Sequence, residues 1–97
     1  MKILNYLKLE KFAVNHAHTR KSLATWRRIV QEAKWTNKQA VINSFPTAKM
    51  IANNRARFEI KHNHYRLIAE IHYQDELIDI RFIGSHDDYD KIDAKTI

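Results

Sequence analysis

Three observations predict an α+β fold, with N-terminal helices packed on one face of a small antiparallel β-sheet. Residues from Arg55 onward hold three consecutive runs of alternating apolar and polar side chains. The first half instead carries apolar residues at helical spacing, and the links between the later runs are short. With a single glycine and a single proline in 97 residues, and no linker, low-complexity tract or internal repeat, the chain reads as one domain over 1–97.

Lys2–Leu4 has the make-up of a short opening strand. Leu9, Phe12, Ala13 and His16 predict a first helix from Lys8 to His16. Leu23, Trp26, Val30 and Ala33 predict a longer second helix from Thr19 to Lys34, whose other face carries Arg20, Lys21, Arg28 and Gln31. Such a helix is amphipathic and suited to covering a sheet. Thr36 with Gln39 forms a T-x-x-Q capping signal for a third helix that ends before Pro46. In these helical settings Trp26 and Trp35 are expected in the core.

The first strand run alternates Ala56, Phe58 and Ile60 (inward) with Arg57, Glu59 and Lys61 (outward). In the second, Tyr65, Leu67, Ala69, Ile71 and Tyr73 alternate with Arg66, Ile68, Glu70 and His72. In the third, Ile78, Ile80 and Phe82 alternate with Leu77, Asp79, Arg81 and Ile83. A one-residue slip would turn every buried side chain outward, so parity fixes the register. A two-residue turn at His62-Asn63 pairs Ile60 with Tyr65 and Phe58 with Leu67. A link centred on Gln74-Asp75 pairs Ile71 with Ile78 and Leu67 with Phe82. On the outer face Glu59 then lies opposite Arg66, and Arg57, Ile68 and Arg81 share a row. Arg57 and Arg81 would stand two strands apart, about 10 Å, with Arg66 diagonal between them.

Composition narrows the chemistry. No cysteine is present, which excludes disulfides, thiolate metal sites and a cysteine nucleophile and fits a reducing cytoplasm. No apolar run approaches the roughly 18 residues of a membrane span, and MKILNYLKLEKF is charged too often for a signal peptide. The net charge of +6 favours an anionic partner. It is uneven: residues 1–50 carry ten Lys/Arg against Glu10 and Glu32, whereas residues 51–97 carry seven against nine acids. The second half therefore mixes placed cations with carboxylates, as a site does.

Arginine suits phosphate because its planar fork matches two phosphate oxygens. The competing reading of Arg57, Arg66 and Arg81 is that outward strand positions are simply charged, with Glu59–Arg66 a surface ion pair. After Gly84, Ser85 and Asp88 form an S-x-x-D cap signal, and the polar tail holds His86 and Tyr89. The imidazole is suited to proton transfer near neutral pH, and the phenol to proton donation or base stacking. Together these residues match RNA cleavage by attack of a 2′-hydroxyl on the adjacent phosphate. That reaction needs a base, an acid and cations, with no metal or cofactor. His16-x-His18 and His62-x-His64 lack the further ligands a metal site needs.

The motif N-R-x-x-F-x-I, Y-R-L, I-x-Y, I-R-F-x-G-[ST]-H-x-x-Y-D-x-I-D resembles the HigB toxins of type II toxin–antitoxin modules. It is carried by Asn54-Arg55, Phe58, Ile60, Tyr65-Arg66-Leu67, Ile71, Tyr73, Ile80-Arg81-Phe82, Gly84-Ser85-His86, Tyr89-Asp90 and Ile92-Asp93. Trp35 and Phe45-Pro46 extend the likeness into the first half. The resemblance implies a RelE/ParE-like fold and a messenger-RNA interferase acting in the ribosomal A site. A helix-turn-helix antitoxin, HigA, would silence it within a higher complex of antitoxin dimer and operator DNA. By position it implies phosphate binding by Arg57, Arg66 and Arg81 and proton transfer by His86 and Tyr89, so that His86, Tyr89, Arg66 and Arg81 are the expected catalytic residues. Arg55, Lys61 and Lys91 are expected beside Arg57 as further phosphate contacts. Arg20, Lys21, Arg27, Arg28, Lys34 and Lys38 are expected to meet ribosomal RNA or the antitoxin. Glu59 and the acids after Gly84 depart from the wider RelE pattern. Two other readings stand beside this one: a ParE-like toxin that binds a protein such as gyrase, and an RNA-binding module without chemistry.

Overall fold

The computed structural model describes residues 1–97. In chain order the elements are β1 (Lys2–Leu4), α1 (Leu7–Asn15), a 3-10 turn (Ala17–Thr19), α2 (Arg20–Glu32), α3 (Lys38–Ser44), β2 (Lys49–Ile51), β3 (Arg55–Ile60), β4 (Tyr65–His72), β5 (Leu77–Ser85) and α4 (His86–Tyr89). The five strands form one sheet in the order β1-β5-β4-β3-β2. The expected all-antiparallel sheet is corrected to a mixed one. β1 runs parallel to β5, pairing Lys2 with Leu77 and Leu4 with Asp79. The helical first half lies between these strands in sequence, and that long connection is what a parallel pair requires. No helix is long and apolar enough to cross a membrane.

The helical boundaries follow local bonding that spacing alone does not show. At His16 the backbone leaves the helix, and Thr19 Oγ1 donates to the His16 carbonyl at 2.6 Å, which sets the 3-10 turn before α2. The far end of α2 is closed by the Met1 ammonium, which donates to the Val30 and Ala33 carbonyls at 3.2 and 2.7 Å. A positive group at helical carbonyls is favourable. α3 is capped by Asn37 rather than by Thr36: its backbone is extended and its side chain accepts from Ala40 N at 2.9 Å. Replacing Asn37 with alanine should therefore cost about 1 kcal/mol. Urea unfolding should show a lower midpoint with an unchanged m-value.

One buried cluster joins the two halves. Leu9 and Ala13 of α1, Leu23, Trp26 and Val30 of α2, Trp35, and Val41 of α3 meet Ala56, Phe58, Ile60, Leu67, Ala69, Ile71, Ile78 and Ile80 of the sheet. Trp26 meets Phe58 edge-on at 5.4 Å, and Trp35 Nε1 donates to Ser44 Oγ. Both tryptophans are core residues, as expected.

The strand register agrees with parity between β3 and β4, where Phe58 pairs with Leu67, Glu59 with Arg66 and Ile60 with Tyr65. The link is a four-residue turn, 61–64, in which Lys61 and His62 take positive φ of 55° and 61°. β2 was not anticipated. Asn53 and Asn54, with φ of 61° and 62°, turn the chain back from β2 into β3. Asparagine is among the residues that best tolerate that left-handed conformation.

Between β4 and β5 the register breaks. Ala69 pairs with Ile80 but Ile68 pairs with Phe82, so Arg81 is the extra residue of a bulge. A bulge reverses facing beyond it. The expected pairing of Leu67 with Phe82 is thus corrected to Leu67 with Ile83. Ile83 packs against the core, while Phe82 joins the outer face beside the fully buried Ile68.

Candidate functional site

The bulge redraws the expected arginine triangle. The outer row is Arg57–Ile68–Phe82 instead of Arg57–Ile68–Arg81. Arg81 turns instead to carboxylates, with Nη2 2.9 Å from Glu70 Oε1 and Nε 3.6 Å from Asp79 Oδ2. Arg55 is likewise engaged and buried: Nη1 donates to Glu70 Oε2 at 2.8 Å and to the Asn53 carbonyl at 2.9 Å. Its Nη2 donates to the Ile97 carbonyl at 2.7 Å. His72 Nε2 completes the ring around Glu70 at 3.0 Å. Burial works against the charge on Glu70, but Arg81, Arg55 and His72 outweigh it and hold the carboxyl below its ordinary range. Arg55 and Arg81 thus serve one carboxylate inside the fold.

Arg57 and Arg66 are different. Neither takes part in any of the four ion pairs of the chain. The Nε is buried without a hydrogen-bond partner in all four of these arginines, so it is the missing carboxylate that sets Arg57 and Arg66 apart. The Glu59–Arg66 ion pair expected if the outward arginines were simply surface charges does not form, although the two residues are directly opposite. Both guanidiniums stand instead over the ring of Tyr89, at 4.7 Å for Arg66 and 5.7 Å for Arg57. Phe82 lies against the same ring at 6.4 Å. Two cations gathered at one aromatic ring repel each other unless an anion joins them. Two neighbouring guanidiniums without carboxylate partners are chemically able to hold a phosphate.

α4 carries the remaining groups. Its start is fixed by a capping box in which Ser85 Oγ accepts from Asp88 N and Asp88 accepts from Ser85 N, as the S-x-x-D signal predicts. His86 and Tyr89 stand three residues apart, one helical turn. His86 Nε2 donates to the Asn63 carbonyl in the β3–β4 turn at 2.6 Å. In the neutral ring that bond leaves Nδ1 as the free acceptor.

Gly84 works through space, not through an unusual backbone. It stays within β5, opposite Arg66, and its φ is not positive. A Cβ there would stand 2.8 Å from Phe82 Cζ and 3.0 Å from Asp88 Cβ. The glycine lets the Phe82 ring and the start of α4 close over the strand. Gly84→Ala should push both away, cost roughly 1–3 kcal/mol by overpacking, and appear as a lowered thermal midpoint.

The other expected residues are spread out. Lys61 sits in the β3–β4 turn and lines a cleft with Lys21 and Trp26, apart from Tyr89. Lys91 is exposed just past α4. Arg20, Lys21, Arg27, Arg28, Lys34 and Lys38 are all exposed, and Arg27 stacks on Tyr6 at 4.3 Å. His16 stacks on Phe12, and His18 bonds the Tyr65 hydroxyl at 2.7 Å; no three His, Asp or Glu side chains are grouped to hold a metal ion. Two features escaped sequence reasoning: Phe82 beneath Tyr89, and a cleft of about 470 Å³ that runs from Arg57 and Tyr89 between β2 and residues 90–95. The consecutive apolar pair Phe82-Ile83, which interrupts the alternation, is the one sequence signal for the first.

Comparison with known proteins bears on the family. No curated protein matches the chain. A protein-family model, HigB_toxin, described as the RelE-like toxic component of a toxin–antitoxin system, matches residues 19–92. That span holds α2, every strand but β1, and α4, and so includes Arg57, Arg66, His86 and Tyr89. Such a family implies an antitoxin partner. The chain belongs to the HigB toxin family, the RelE-like toxic components of toxin–antitoxin systems.

Proposed function

We propose that this toxin, one domain over residues 1–97, is a ribosome-dependent endoribonuclease that cleaves messenger RNA. The observation that carries the reading is the pair of guanidiniums free of any ion pair, Arg57 and Arg66, held on the ring of Tyr89 one helical turn from His86. The scissile phosphate sits between the arginines. His86 Nδ1 takes the proton from the 2′-hydroxyl, whose oxygen bonds phosphorus. As the bond from phosphorus to the 5′ oxygen breaks, Tyr89 donates its proton to that oxygen. The products are a 2′,3′-cyclic phosphate and a free 5′-hydroxyl, and the arginines neutralise the charge that develops on the phosphoryl oxygens.

In this reading Arg81 and Arg55 act at one remove, by fixing the sheet through Glu70. The exposed cations of α2 and its surroundings hold ribosomal RNA or an acidic face of the antitoxin. The antitoxin is of the HigA helix-turn-helix type, its dimer carrying the toxin onto operator DNA. The site of action is the cytoplasm, where translated messages are found. The test is to induce the toxin and map message ends on and off the ribosome. Internal 5′-hydroxyl ends confined to translated messages are expected. DNA damage with intact messages would overturn the nuclease in favour of a ParE-like action on a protein target.

A further inference from the structure

The cleft that opens from Arg57 and Tyr89 has a chemistry of its own. One side is Met50 and Ile51 of β2, and the other is Ile92 and the segment around it. Its rim carries Lys49 and Lys95, both exposed. Asp90, at the end of α4, is exposed and its carboxylate has no ion-pair partner. The neighbouring Asp93 already spends one oxygen on Lys95 N at 3.0 Å. A volume of about 470 Å³ lies within the range of small-molecule sites, which pair apolar walls with a few placed polar groups.

We infer that this cleft receives the nucleobase adjoining the phosphate held by Arg57 and Arg66, and that Asp90 selects guanine. The inference rests on the nuclease reading and deepens it by naming the substrate feature. The apolar side chains of Met50 and Ile92 take the faces of the base. Lys49 and Lys95 take the neighbouring phosphate. A carboxylate only accepts hydrogen bonds. Guanine offers it two adjacent N–H donors, on N1 and on the exocyclic N2, which two carboxylate oxygens accept together. Adenine and cytosine offer one amino group beside a bare ring nitrogen. Uracil offers one N–H flanked by two carbonyls, which the carboxylate repels. Specificity of this kind comes from base edges, while the phosphate contacts only position the chain.

The experiment titrates the full-length toxin with each of the four nucleoside 3′-monophosphates, following the Met50 and Ile92 methyl resonances. Guanosine 3′-monophosphate should bind at least tenfold more tightly than the uridine compound, since a hydrogen bond to a charged group is worth a decade or more. Asp90→Asn should erase that preference, weakening guanosine 3′-monophosphate at least tenfold while uridine 3′-monophosphate, relieved of the repulsion, binds no more weakly than before. Arg57→Ala should weaken all four alike. Equal binding of the four nucleotides, no perturbation of the cleft methyls by any of them, or a preference that survives Asp90→Asn would overturn the assignment. The nuclease reading fails separately, by the absence of mapped message ends. Ends that form without regard to guanine would sink the cleft assignment and leave the nuclease standing.

Discussion

Arg66→Ala is expected to abolish growth arrest while leaving a folded protein. The guanidinium makes no ion pair in the chain. Its loss removes one cation–π contact to Tyr89, worth about 0.5–1 kcal/mol at a partly exposed site. The cost to cleavage is much larger, because a charged donor aimed at the transition state supplies roughly 10²–10³ in rate. Induced cultures should therefore grow, message ends should vanish, and the purified variant should melt within a few degrees of the wild type. His86→Ala should behave in the same way through loss of the base, and Arg57→Ala should weaken the same phosphate seat. An Arg66→Ala variant that still arrested growth fully would sink the nuclease reading. Arg66→Lys separates charge from geometry. A lysine keeps the positive charge without the two-pronged fork, so partial activity would indicate that placement of both donors matters.

How much of this was legible beforehand differs sharply between residues. The register of β3 on β4 followed from alternation, because one sheet face is fully buried and any slip would expose Phe58. The capping box at Ser85 was equally readable, since it is a local signal with a local partner. The bulge at Arg81 was not. It depends on how β5 meets β4 through space, and it moved an arginine from the proposed site to Glu70 and brought Phe82 into the site. β1 was legible as a strand but not its parallel pairing, which is a long-range choice. Arg55 and Arg57 look alike in sequence, both near the start of one strand. Arg55 is surrounded by Glu70 and two carbonyls, whereas Arg57 meets only a ring. Sequence spacing of the cations gave no way to tell the structural arginine from the free one. Partner carboxylates decide that, and they arrive from other strands.

Glu70→Gln is expected to be strongly destabilising, although its side chain keeps the same shape. Glu70 is only 17% exposed and is the shared partner of Arg55, Arg81 and His72. Neutralising it leaves the 11%-exposed guanidinium of Arg55 without its counter-charge, and an uncompensated charge at such a site costs several kcal/mol. With partial exposure, the loss at pH 7 should be roughly 2–4 kcal/mol. The effect should also depend on pH in one direction. Because the folded carboxyl titrates below its ordinary value of 4.5, its ionisation stabilises the fold fully above that value. The contribution is lost as the pH falls through 4.5 toward the lower folded value, where the folded protein too must take up the proton. The thermal midpoints of wild type and Glu70→Gln should therefore differ widely at pH 7 and draw together as the pH falls below 4.5. A gap that stayed constant across this range would assign the loss to packing and remove the carboxylate from the account. Arg55 also holds the Ile97 carbonyl, so loosening this network should free the final residues first. Those residues adjoin the segment 90–95 that walls the cleft beside Tyr89. Glu70→Gln should accordingly raise amide exchange at 93–97 before it changes exchange in the core strands, which links the stability of the outer network to the integrity of the proposed site.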